Sequence, residues 1–157
     1  MDFKSVIYAL ACLSFSVVVG AAIYEHVAVV PGWSAAPPAS LSMFQGKYGL
    51  NPTPFWIAIH PVTLVLLAAA LVLFRKTGSW PYLLTTIIGY VMVLVITFAH
   101  FVPELIAITG TPYSENIDDS LTERAAQWEA LSLVRLSFLV VLAVIGIAGL
   151  GRSKEAA

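Results

Sequence analysis

The chain has 157 residues, 59% of them apolar and 11% charged, with a formal net charge of −1 and a mean hydropathy of +0.89. A water-soluble domain of this length carries roughly a quarter charged residues to cover its surface, so the composition excludes an ordinary soluble fold. Near-neutral charge gives nucleic acid nothing to hold, and a lone cysteine, Cys12, cannot close an intrachain disulfide.

The composition predicts an all-α protein, a four-helix transmembrane bundle forming a single integral membrane domain over residues 1–157. A bilayer-spanning helix needs about 20 mostly apolar residues. Four segments qualify: residues 5–30, 54–74, 80–108 and 121–150. The first carries Lys4, an apolar run and Gly20-Ala21-Ala22, a loose match to a cleaved leader. Its apolar run continues to Val30, so it is expected to stay as a span. Residues 31–53 are too long for a simple connection and are expected to form a lid or cap.

The second span opens with Thr53 as expected N-cap and Pro54 at the first helical position. It closes on Arg75-Lys76-Thr77-Gly78, cations at a helix end followed by glycine. The third span contains Pro103, which should bend it and free the carbonyl of Ala99. Ser120 with Glu123 reads as a capping box for the fourth. Trp33, Trp56, Trp80, Tyr82 and Tyr113 lie near span ends, as in an aromatic belt. The small residues Gly20-Ala21-Ala22, and Gly146 with Gly149, are read as points of close helix contact.

Lys4, Arg75-Lys76 and Arg152 with Lys154 fall on one side of the membrane. The other side carries Lys47 against Glu115, Asp118 and Asp119. The positive-inside rule puts both termini in the cytoplasm, in a bacterial-type plasma membrane.

All three histidines lie in apolar segments, one in each of the first three spans. At 1.5 Å per residue, His26 stands about 33 Å from Lys4 and His60 about 22 Å from Arg75. His100 stands about 30 Å from Trp80, Glu129 about 34 Å and Arg135 about 26 Å from Arg152. These groups, with Glu25 and Glu104, form one layer in the outer third of the membrane. Ionisable groups there are costly and are functional candidates by default. His100 and Glu104, four apart, share a helix face. Glu25 and His26 are about 100° apart, so one of the two is expected to face the centre.

Three chemistries fit the layer. His26, His60, His100 and Glu104 could hold a metal ion, with iron or copper preferred and zinc allowed. Two of the histidines could instead be axial ligands to haem b. Glu25, Glu104 and Glu129 could pair with histidine and Arg135 as a metal-free proton relay or acid–base set, with Glu25, Glu129 and Arg135 the expected catalytic residues. Structural glue between helices is the plain alternative.

Phe101-Val102-Pro103-Glu104-Leu105, an acidic loop, and then Arg124 to Arg135 around Trp128 resemble the DUF1772 family of small four-helix membrane proteins, which includes the anthrone oxygenases. Pro103, Trp128 and Arg135 match its pattern. Ser132 stands where asparagine is expected, and Glu104 where the family often has another polar residue. The resemblance covers about a fifth of the chain and the helix number. It implies an oxygenase or related oxidoreductase acting on a hydrophobic, aromatic-type small molecule. The expectation is therefore a membrane-embedded, metal-dependent oxidoreductase whose partners are the lipid bilayer and a lipophilic substrate, with a homo-oligomer allowed. The rival is a non-enzymatic membrane protein, either a proton or ion conduit or a metal- or haem-carrying assembly partner.

Overall fold

The computed structural model describes residues 2–152; Lys154 of the basic end lies outside them. The described chain is helical, and four of its helical segments are long and apolar enough to cross a membrane: Phe3–Ser34, Thr53–Leu73, Trp80–Thr109 and Asp119–Leu150. The first comprises α1 (Phe3–Tyr24), a π-helical turn (Glu25–Val29) and α2 (Val30–Ser34). The second is α3 (Thr53–Leu73). The third comprises α4 (Trp80–Ile96), a second π turn (Thr97–Phe101) and α5 (Val102–Thr109), and the fourth is α6 (Asp119–Leu150).

The apolar runs set the helices and local chemistry sets their ends. The Asp2 carboxylate accepts from Ser5 N at 2.8 Å and caps α1. Two expected caps are replaced. Asp118, not Ser120, caps α6: its carboxylate accepts from Leu121 N at 3.0 Å and from the Ser120 hydroxyl at 2.7 Å. Thr53 is already helical, following Pro52, and its N–H is taken by the Asn51 side chain at 3.2 Å.

Both π turns have a proline two residues beyond them, Pro31 and Pro103. A proline ring crowds the carbonyl four residues back. One extra residue in the preceding turn moves that carbonyl aside, and the backbone closes i→i−5 bonds instead, Val30 N to Glu25 O and Val102 N to Thr97 O. The predicted bend at Pro103 is thus absorbed as a widened turn.

Each span packs on the next in sequence, and the first and fourth close the ring. Both termini and the short second turn share one end. There Tyr8 donates to Gly146 O at 2.9 Å and Ser79 to Gly149 O at 2.8 Å. The half nearest this terminal end is tightly filled by Tyr8, Phe15, Leu67, Phe74, Leu83, Tyr90 and Leu142. Val65, Val72, Val95 and Val144 are among the exposed apolar residues that face outward, as lipid contact requires. Gly149 permits the close approach, since a Cβ there would collide with the Tyr8 hydroxyl and lie 2.5 Å from Tyr82 Cβ. Gly20, grouped with it by sequence, has open space around it.

Residues 31–53 fold into a cap over the other end. Trp33 and Leu41 are buried in it, packed with Phe101, Ile108, Leu121, Ala125 and Trp128. Trp33, read as a belt residue, is thus interior. Asp118 N donates to Pro37 O at 3.0 Å and joins the cap to the start of α6.

Gly149→Ala should destabilise the bundle by about 1–3 kcal/mol through overpacking, read as a lowered melting temperature in detergent, whereas Gly20→Ala should not. Hydrogen bonds from Ser120 and then Leu121 hold the Asp118 carboxyl below its ordinary value of 3.8. A carboxyl that titrates lower in the folded state stabilises above the unfolded value, and loses that effect as pH falls through the folded one. Asp118→Ala should therefore speed amide exchange at the start of α6 at pH 7, and the difference should vanish in acid below that value.

Candidate functional site

Between the packed terminal half and the cap lies a cavity of about 640 Å³ walled by all four spans. Its surface is mostly apolar, and its polar side chains are Glu25 and His26 from the first π turn, Thr53, Trp56 and His60 from α3, Tyr90 from α4, Thr97 from the second π turn, and Trp128 and Arg135 from α6. Glu25 and His26 both reach the wall, although a regular helix would turn one away. The π turn has more residues per turn, so its neighbours diverge less.

The polar groups are held individually. Glu25 Oε1 accepts from Trp56 Nε1 at 2.9 Å, and its second oxygen has no hydrogen-bond partner among the described residues. His60 Nδ1 and the Tyr90 hydroxyl are 2.6 Å apart, and the His60 ring stacks on Trp56 with centroids at 5.3 Å. His26 Nδ1 lies 2.8 Å from Ala22 O. A carbonyl only accepts, so Nδ1 carries the proton, and in the neutral ring Nε2 holds a lone pair. That nitrogen is buried without a hydrogen-bond partner among the described residues. The ring lies parallel to Trp128, centroids 6.3 Å apart.

Arg135 lies face-on to Phe101, 4.2 Å from the ring centroid. Its Nη1 donates to Thr97 Oγ1 at 3.1 Å and its Nη2 to Ser132 Oγ at 2.7 Å. Both acceptors are neutral, and no carboxylate among the described residues is within ion-pair distance of the guanidinium. Trp128 donates to Phe101 O at 2.9 Å. Trp128 and Arg135, seven residues apart on α6, thus both grip the second π turn.

A smaller chamber of about 300 Å³ lies under the cap, lined by Trp33, Phe44, Leu50, Asn51 and Leu105 among others. Glu25 and Trp128 border both chambers.

The sequence-predicted residues divide. Glu25, His26, His60 and Arg135 share the large cavity. His100 does not: Phe101 takes the inward position, and His100, one residue earlier, is exposed. Glu104 is at the bundle edge, where it accepts from Arg124 Nε at 2.8 Å. Glu129 accepts from Ser34 Oγ at 2.8 Å and fastens the cap to α6. The expected four-ligand metal set of His26, His60, His100 and Glu104 is therefore not assembled. Among the described residues no group of three or more His, Cys, Asp or Glu side chains is placed to hold a metal ion. His26 is oriented through Nδ1 as metal-bound imidazoles are, but it lacks co-ligands. Trp56, Tyr90 and Thr97 are members that the sequence reading missed. Tyr90 and Thr97 were legible as hydrogen-bonding groups in an apolar span, while Trp56 resembled one more belt residue.

No family model, characterised protein or solved structure matches the chain.

The tautomer assignment is directly measurable. In ¹⁵N-histidine-labelled protein at alkaline pH, one imidazole should show a protonated Nδ1 and a bare Nε2, and His26→Gln should remove that signal.

Proposed function

We propose that this chain is a membrane-embedded oxidoreductase that oxidises a lipophilic small molecule by proton removal within the large cavity. The observation that carries the reading is the Glu25 carboxylate: one oxygen is fixed by Trp56, the other has no hydrogen-bond partner among the described residues, and the group borders an apolar chamber large enough for a small molecule. A carboxylate removed from bulk water and held by one donor is a competent general base. It takes a proton from an activated CH₂ of the substrate, dioxygen accepts the electrons, and the products are the ketone and one water. Arg135 supplies positive charge in the same wall. The resemblance carried by Pro103, Trp128 and Arg135 favours the same reaction class.

His26 and His60 would be the imidazole donors to any iron, copper or zinc ion or haem b in this cavity. The donor set is incomplete for an ion as arranged, so the reading rests on the protein's own acid–base groups. The filled terminal half, without a comparable run of ionisable groups, favours an enzyme over a transmembrane conduit. Lys4, Arg75, Lys76 and Arg152 at the terminal end favour placing the cap, and with it the cavity, toward the outer face.

The test is oxygen uptake by the purified protein in nanodiscs with a panel of lipophilic CH-acids. Glu25→Gln should lower turnover by roughly 10²-fold or more, and His100→Ala should leave it unchanged. Wild-type rates in Glu25→Gln would refute the assignment.

A further inference from the structure

Arg135 carries its charge in a mostly apolar wall, and no carboxylate among the described residues forms an ion pair with it; Glu25 acts on it only through space. A guanidinium has five N–H donors. Two are used, both on neutral hydroxyls, and Phe101 covers one face. A buried cation without a counter-ion costs several kcal/mol. Glu25 is the other charged side chain in the cavity wall, and it is committed to Trp56 rather than to Arg135. The remaining donors of Arg135 therefore lack an anion, and they belong to a wall that is otherwise mostly apolar.

The cavity also has a side door. The second span packs on α4, but toward the second π turn its contact thins to the edge-to-face pair of His60 and Phe98, centroids 6.4 Å apart. Ile57, Phe98 and Ile106 line the cavity and are 68%, 60% and 64% exposed, so the cavity is open where they stand. A gap edged by apolar side chains on adjacent spans opens toward lipid rather than toward water.

We infer that the cavity takes a lipophilic carboxylate, which enters from the bilayer between the second and third spans and seats its anionic head on Arg135. The planar fork of arginine matches a carboxylate with two parallel donors. The apolar body lies along the aromatic wall of Trp56, Phe98 and Trp128. Carboxylate repulsion from Glu25 keeps the head at the α6 side of the chamber. The inference rests on the cavity described above and adds a head group to the substrate proposed for it.

Binding is measured in phosphatidylcholine nanodiscs by quenching of tryptophan emission, since Trp56 and Trp128 line the chamber. The probes are 12-doxyl-stearic acid and its methyl ester. The acid should bind about tenfold tighter or more than the ester, as loss of a buried charge-assisted pair implies. Arg135→Gln should make the two equal, and Arg135→Lys, which keeps the charge and loses the fork, should fall between. Equal affinities in the wild type, or an acid preference that survives Arg135→Gln, would overturn the carboxylate head. The wild-type comparison needs no variant to fold. Equal affinities together with Glu25-dependent turnover would remove the carboxylate and leave the oxidoreductase. An acid preference together with wild-type turnover in Glu25→Gln would do the reverse.

Discussion

The grip of α6 on the second π turn is the interaction on which the rest of the site depends. Trp128 holds the Phe101 carbonyl and Arg135 holds the Thr97 hydroxyl and the Phe101 ring. A π turn is a weak element on its own, because the added residue loosens the hydrogen-bond ladder. Here two long side chains from the neighbouring span fix it from both ends. The fixed turn keeps Thr97, Phe98 and Phe101 in the cavity wall and carries the third span onward into the cap. Phe101 in turn belongs to the cap's packing cluster with Trp33 and Leu41. One contact region thus ties cavity, π turn and cap together.

The two halves of the bundle obey different rules. The terminal half is packed to close contact, with glycine where helices touch and side-chain donors on the last carbonyls of α6. The cap half is held by longer reaches: indole to carbonyl, serine to glutamate, guanidinium to hydroxyl. Long side chains span gaps that short ones would have to close. The cavity follows from that change in spacer length, and the polar groups lie where it occurs.

The spans were legible because apolar length is a sufficient signal, and their predicted ends fall close to the observed ones. Depth counting also gathered Glu25, His26, His60 and Arg135 at the level where the cavity lies. It failed for His100, Glu104 and Glu129 because depth says nothing about direction. Direction was read from a regular 100° step, and a π turn breaks that step in two of the four spans, within the segments that carry His26 and His100. No residue type announces a π turn. The prolines that follow both turns were visible, but a kink was the simpler inference from them. The inward aromatics were missed for a different reason: Trp33 in the cap and Trp56 in the cavity wall look like an interfacial belt, and only tertiary packing shows that they turn inward.

The pinning of the terminal end has a mechanical consequence. Tyr8, Ser79 and the small residues of α6 fasten the first, third and fourth spans at one level, and the second and third are joined there by a turn of a few residues. Each span is then a beam clamped at one end, while its other end is held by the cap's buried cluster and a few long side chains. Displacement of such a beam grows with distance from the clamp, so thermal motion that leaves the terminal half still widens the slot between the second and third spans. A bilayer that squeezes the bundle laterally closes that slot first.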